Sequence, residues 1–259
     1  DFDEMTNLSK STRAMLKERF ELVCLNQVAC KISSMDGTRK YLFGLSDGHV
    51  IESVLMRYHH GNSVCISSQV GCRMGCRFCA STLDGLSRNL RPSEMLDQIY
   101  RIQQDIGERV SNVVVMGSGE PLDNYENLIT FLHLLTDGNG LGISQRNITV
   151  STCGLVPEMY RLADENLQIT LALSLHASNN EVRKTLMPIA NRYALPEVLH
   201  ACDNYFEKTG RRITFEYSLV KGVNDGQKQA DELAELIGNR NCHINLIPVN
   251  PIKERDFVQ

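Results

Sequence analysis

The sequence predicts an α/β chain whose core is a partial (β/α)6 barrel, preceded by a small N-terminal helix and a β-hairpin extension. Three observations lead there. From residue 64 onward, strand-like runs alternate with helix-like ones. Several of those runs pair an apolar face with a small or polar one. The chemically unusual residues fall at the carboxyl ends of the runs, the rim where parallel α/β folds place ligands.

The elements follow in order. Residues 9–20, SKSTRAMLKERF, read as a short helix with Met15, Leu16 and Phe20 on one side. Asp36-Gly37 and Asp47-Gly48 punctuate a region of near-alternating apolar residues, as hairpin strands do. Core strands are predicted at 64–69, 112–116, 147–151, 169–175, 212–220 and 243–247. Pro92 opens a helix carrying Met95, Ile99, Ile102 and Ile106 at helical spacing. Asp225 is the expected cap of another, with Ala230, Leu233, Ala234 and Ile237 inward and Gly238 ending it. In ITLALSL, Ile169, Leu171, Leu173 and Leu175 share one face, against Thr170, Ala172 and Ser174. Helices are expected over the apolar face and a ligand-sized lumen over the polar one; the alternative is an open sheet with a solvated face.

Bulk properties narrow the class. The 259 residues suit one large domain, and 42% hydrophobic residues supply a core. No apolar run is long enough to span a bilayer, and the polar, acidic start does not read as a signal peptide. Nine cysteines without such a signal point to a reducing, cytoplasmic setting in which clustered thiols bind metal or do chemistry. A net charge of −4 argues against wholesale coating of nucleic acid but allows a local basic patch. Arg73, Arg77, Arg88 and Arg91 form one around the cysteines, either as solubilising charge or as phosphate contacts.

The cysteines themselves lie in GCRMGCRFCAST, where Cys72, Cys76 and Cys79 follow the first core strand. A structural zinc site wants four ligands, and no second CxxC exists, although Cys153 or Cys242 could supply a distant fourth. A redox CxxC leaves Cys72 idle. A [4Fe–4S] cluster takes thiolates, and three of them leave one iron open. Elsewhere, Cys24, Cys30, Cys153 and Cys202 read as packed hydrophobes. His59 and His60 are adjacent, so their side chains are expected to diverge on a loop surface.

CxxxCxxC, followed after the second strand by GSGEP, resembles the radical S-adenosylmethionine superfamily and implies its partial barrel. The wider string is more specific: VCISSQVGCRMGCRFCAST, SRNLRPSE, VVVMGSGEPLDNYENL, ITVSTCGLVPEM, LALSLHASNNEVRK, MPIANRY, RITFEYSLVKGVND and INLIPVNP. Over residues 40–251 it is similar to the bacterial dual-specificity RNA methyltransferases that act on carbon 2 of adenine in 23S rRNA and tRNA. The resemblance implies Cys72, Cys76 and Cys79 as ligands of a [4Fe–4S] cluster. It implies Gly119, Glu120, Ser151, Ser174, Leu175, His176 and Asn250 as S-adenosylmethionine contacts, Glu52 as acid/base, and Cys65 as the thiol that resolves a protein–RNA adduct by forming a disulfide. That adduct passes through a methyl-cysteine near the family's C-terminus, a cysteine expected beyond Gln259. Residues 1–24 are expected to be the tail of a larger helical accessory region, 25–60 a β-rich extension, and 61–259 the core.

The implied partners are 23S rRNA, tRNA and an electron donor such as flavodoxin, with a monomeric protein and no membrane. The rival readings are the related methyltransferases that act on carbon 8 and confer antibiotic resistance, a glycyl-radical activase, and a non-catalytic metal-bearing RNA-binding module. Glu216 is placed on the lumen face, where a carboxylate should not be buried unpaired, so it is expected against the cofactor or a basic neighbour.

Overall fold

The computed structural model describes residues 1–22, 25–255 and 257–258. Cys24 lies outside the described residues. Helix α1 (Lys10–Arg19) starts where the Ser9 hydroxyl accepts from Thr12 N. It buries none of its residues fully: Met15 and Phe20 are exposed, Leu16 is half-buried, and the helix packs against the turn at Phe2–Glu4.

Strands β1 (Asn26–Ile32), β2 (Arg39–Gly44) and β3 (Val50–Tyr58) are antiparallel, joined at the two Asp-Gly turns. In the first turn Asp36 accepts from Thr38 N and Oγ1; in the second, Asp47 accepts from His49 N. Strand β3 pairs antiparallel with β4 (Gly61–Cys65), so the extension continues the main sheet.

The first core strand therefore ends at Cys65, not at 69. Beyond it, Ser68 N and Gln69 N both donate to Ser118 O, and β5 (Gln69–Gly71) pairs with β6 (Leu86–Asn89) as a separate hairpin around the cysteines. Val64, Ile66 and Val70 keep the same alternation through the break, so periodicity alone reads the two strands as one.

Helix α2 (Pro92–Ile106) follows, burying Met95, Ile99 and Ile102 as expected. Then come β7 (Val110–Val115), α3 (Tyr125–Thr136), β8 (Ile148–Thr152), α4 (Val156–Asp164), β9 (Thr170–Ser174), α5 (Asn180–Leu186), α6 (Leu195–Thr209), β10 (Ile213–Leu219), α7 (Gln227–Ile237) and β11 (Cys242–Pro248). The main sheet has nine strands in the order β1-β2-β3-β4-β7-β8-β9-β10-β11. From β4 to β11 every neighbour is parallel and in chain order. Such sequential winding puts all crossover helices on one side of the sheet, as a partial (β/α)6 barrel requires.

The face assignment holds. Ile169, Leu171, Leu173, Leu175, Phe215 and Tyr217 are buried, and α4 packs on α6 outside them. One cap differs from expectation: Gly226, not Asp225, is the N-cap of α7, and Asp225 instead accepts from Gly222 N to close the preceding turn. His59 and His60 also do not diverge. Their rings meet edge to face at 5.1 Å, and His60 stacks on Tyr58, because the tight β3–β4 turn folds the pair back on the strand. No helix among the described residues is long and apolar enough to cross a membrane.

Candidate active site

The rim is built by polar side chains that tie neighbouring strand ends together. Gln98, on the buried face of α2, accepts from Ser53 Oγ and Ser67 N and donates to Ser67 O, fixing the chain as it leaves β4. Gln69 accepts from Glu120 N and donates to Asn89 and Asp123. The cysteine hairpin is thereby locked onto the GSGEP turn. There is no room for side chains where the two meet. A Cβ on Gly117 would lie 2.8 Å from Ile66 backbone, and one on Gly119 (φ +103°) would lie 2.5 Å from Gln69 Cβ.

A cleft of about 430 Å³ opens on this rim. Glu52, Cys65, Phe78, Cys79, Ser81, Gly117, Ser118, Ser218 and Asn250 line it. Strands β3 and β4 put Glu52 and Cys65 on one face: Val54 pairs with Cys65, which makes Glu52 its diagonal neighbour. The Glu52 side chain is 48% exposed and bonds Lys40 Nζ at 2.6 Å. Burial pushes the half-buried Cys65 thiol up to about 11, and the Glu52 charge adds to that, so it rests protonated. This departs from the low-pKa thiol that a resting nucleophile calls for.

Of the metal candidates, Cys79 faces the cleft, while Cys72 and Cys76 are buried behind it. The loop is held by Cys72 N to Gly85 O, Arg77 N to Leu186 O, and the Thr82 hydroxyl to the carbonyls of Cys76 and Cys79. Burial pushes Cys72 to about 11 and Cys76 to about 12; Glu120 and Cys79 add to the first, and Cys79 and Cys72 to the second. Among the described residues no three His, Cys, Asp or Glu side chains converge so as to hold a single ion. In a cluster each thiolate would take a different iron, and thiol protons leave when metal binds.

The other site candidates ring this loop. Glu120 is buried, and its carboxylate accepts from Cys153 N at 2.7 Å and Leu122 N at 3.1 Å; burial raises its pKa. Its side chain is thus engaged in tying β7 to β8. Ser151 Oγ donates to Val115 O, and Ser174 sits opposite Glu216 at the end of β9. Neither serine lines the cleft as it stands. Leu175 N and His176 N both donate to Glu216 O.

His176 adopts φ +55°, is buried, and accepts from Ser218 N through Nδ1, which leaves the proton on Nε2. Burial, then the Arg183 charge, drives its pKa down to about 3. Its ring meets Phe78 of the cysteine loop edge to face at 4.7 Å. Asn224, buried in the KGVND turn, donates to His176 O and Ser218 O. Glu216 shares a face with Ser218, as expected, but its partner is a neutral amide, Asn245 Nδ2 at 2.8 Å.

Two expectations need revision. Arg88 is not a free phosphate contact: it forks onto the buried Glu94 and also bonds Asp47. Arg73 pairs with Asp123 but stays exposed. Cys153 and Cys202 are buried as expected, while Cys30 is only half-buried. Sequence reasoning missed Gln69, Gln98, Arg183 and Asn224. The one available signal was Gln98, a polar residue within the apolar stripe of α2.

Comparison with known proteins accords with this geometry. Residues 66–237 match the model of the radical SAM superfamily, the class that the fold and the cysteine loop define. The chain is 70% identical, over its whole length, to the "Probable dual-specificity RNA methyltransferase RlmN" of Lachnospira eligens and covers 74% of that protein. It is 65% identical to the protein of the same name from Lachnoclostridium phytofermentans and covers 72% of it. A crystal structure of a radical SAM methyltransferase from Sphaerobacter thermophilus superposes with a TM-score of 0.94 at 45% identity, covering all of this chain and 77% of that one. The chain belongs to the RlmN family of radical SAM RNA methyltransferases. Enzymes of this superfamily use a [4Fe–4S] cluster and S-adenosylmethionine.

Proposed function

We propose that this protein methylates carbon 2 of adenine in 23S rRNA and tRNA, with Cys72, Cys76 and Cys79 holding the cluster. The observation that carries the reading is the single cleft shared by Glu52, Cys65, Cys79, Ser118 and Asn250. On this reading an acid/base, a thiol and a cluster ligand would meet one substrate there. When bound, the cluster and S-adenosylmethionine supply radical chemistry able to break an unactivated C–H bond.

The chain's own residues bind, orient and move protons. Gly119 and Glu120 would present backbone to the methionine end of the cofactor, and Ser151, Ser174, Leu175, His176 and Asn250 would hold the rest. The fixed Nδ1 acceptor of His176 leaves Nε2–H as its one available donor. Glu52, solvated at the cleft mouth, removes the adenine ring proton. Cys65 then acts as the resolving thiol, its sulfur forming a disulfide with the methyl-carrying cysteine expected beyond Gln259 as that cysteine's bond to the RNA adduct breaks. Because Cys65 rests protonated, it needs a base; Glu52, which shares its face, serves once its first proton has passed to water at the exposed cleft mouth. Arg77 and Arg91 face solvent beside the loop and would contact RNA phosphates; the target base has to be extruded to enter. The reading includes a cytoplasmic monomer supplied with electrons by a flavodoxin-type donor.

Deletion of this protein's gene tests the assignment. Mass spectrometry of adenosines from 23S rRNA and tRNA should show 2-methyladenosine lost and restored on complementation. Unchanged 2-methyladenosine, or loss of an 8-methyl product instead, would overturn it.

A further inference from the structure

Arg183 is an anomaly. Its side chain is among the largest fully buried ones, at 0% exposure. Its three side-chain hydrogen bonds all go to carbonyls: Nη2 to Cys153 O at 2.7 Å and Ser174 O at 3.3 Å, and Nε to Leu175 O at 3.3 Å. Nη1 is buried with no hydrogen-bond partner among the described residues. Carbonyl dipoles solvate a guanidinium but do not neutralise it. A permanently charged group buried without a counter-ion is costly enough that structures normally pair it.

The cysteine loop becomes a source of negative charge close to Arg183 once its thiols hold metal. Helix α5, which carries Arg183, also receives Arg77 N at Leu186 O, so guanidinium and loop are mounted on the same short segment. Arg183 Nε bonds the carbonyl of Leu175, next to His176, whose ring meets Phe78 of the loop, and its charge acts on the sulfurs of Cys153, Cys76 and Cys202 as well as on the His176 ring. Of these, Cys76 belongs to the proposed ligand set. Arg183 is not among the residues that line the cleft.

We infer that Arg183 is the fixed counter-charge of the cluster held by Cys72, Cys76 and Cys79, a positioning residue that makes the cluster's one-electron reduction easier. The inference rests on the assignment of those cysteines as cluster ligands. A [4Fe–4S]2+ core with three thiolates carries one net negative charge. Reduction adds one electron, drawn from an external low-potential donor, and leaves two; no bond or proton need change. A cation buried beside the thiolates favours the more negative form, since charge and burial set such potentials.

The test is a potentiometric titration, followed by electron paramagnetic resonance, of the anaerobically reconstituted 259-residue protein with dithionite as reductant. Wild type, R183K and R183Q are compared for iron content, potential and Kd for S-adenosylmethionine. In R183Q the ratio of reduced to oxidised cluster at a given potential should fall about tenfold, ~59 mV for a one-electron couple. While its lysine is protonated, R183K keeps the charge and should stay within about twofold of wild type. If R183Q does not fold, R183K decides alone, because lysine titrates where arginine does not. A potential in R183K that falls as pH rises through the lysine's titration, while that of wild type does not, then supports the counter-charge; an R183K potential that tracks wild type at every pH, or loss of the cluster, overturns it. An unshifted potential in folded R183Q also overturns the inference. So does a weakened Kd with the cofactor-free potential unchanged, which would make Arg183 a contact to the cofactor's carboxylate. A wild type that takes up no iron defeats the ligand assignment itself, and the inference with it.

Discussion

Replacing Gly119 with alanine tests the claim that the GSGEP turn is clamped against the cysteine hairpin. Two costs combine. At φ +103° an L-residue is strained, by roughly 1–3 kcal/mol. The new Cβ would also sit 2.5 Å from Gln69 Cβ and 2.8 Å from Gln69 N. Gln69 cannot retreat freely, since its backbone N donates to Ser118 O and its side chain bonds Glu120, Asn89 and Asp123. Overpacking of that kind costs about 1–3 kcal/mol more. The total, about 2–6 kcal/mol, is a large share of a typical domain stability of ~5–15 kcal/mol. Gly48→Ala is the control: φ is +86°, yet nothing lies within 4 Å of the added Cβ, so only the backbone cost applies. Urea denaturation of both variants isolates the steric part. The reasoning fails if G119A and G48A lose the same stability.

Other outcomes follow from the same structure. His176 titrates near 3 in the fold against 6.5 when free, so the unfolded chain binds more protons between those values. Stability should therefore fall as pH drops below about 6.5, by up to ~1.4 kcal/mol per pH unit from this group, and H176Q should flatten that slope in denaturation series from pH 7 to 5. Arg88→Ala removes the forked partner of the Glu94 carboxylate, only 1% exposed, leaving it Arg91 N and the more distant Arg91 guanidinium, and should cost about 3 kcal/mol, whereas exposed Arg91→Ala should cost under ~1 kcal/mol by the same assay. Charge reversal at Arg77 and Arg91 should weaken RNA binding and lower its salt slope by about 0.7–0.9 for each phosphate no longer neutralised; an unchanged slope in filter-binding assays rules out that role for the two arginines. Glu52→Gln breaks only an exposed pair with Lys40, so it should fold normally yet lower the 2-methyladenosine yield in complemented cells by roughly 10²–10⁴-fold.

The barrel was legible because its strands carry their apolar faces in strict alternation and its rim residues interrupt them at each carboxyl end. The break between Cys65 and Gln69 was not, because Val64, Ile66 and Val70 stay in phase and only the small Ser68 interrupts them; long-range bonds to Ser118 and Gln98 make the turn. The cysteine loop was legible from spacing, while Glu52 and Cys65 depended on family resemblance. A carboxylate and a thiol on two antiparallel strands carry no local signature of their meeting. Arg88 misled for a related reason: the acid that consumes it lies six residues away, on the buried start of α2. Arg183 and Asn224 were invisible because burial of a polar side chain is decided by tertiary packing. Helix α1 shows the converse: of the apolar side read as Met15, Leu16 and Phe20, only Leu16 is half-buried.

The central claim is that three cysteines on one rim loop hold a cluster with an iron left open for the cofactor. Anaerobic reconstitution with iron and sulfide, followed by iron analysis and a dithionite-dependent assay for 5′-deoxyadenosine, tests it directly. The account predicts a brown protein with about four irons per chain that releases 5′-deoxyadenosine from S-adenosylmethionine, and loss of both properties on alanine substitution of Cys72, Cys76 or Cys79. A colourless protein that instead takes up one zinc, or a brown one that leaves S-adenosylmethionine intact, would contradict it.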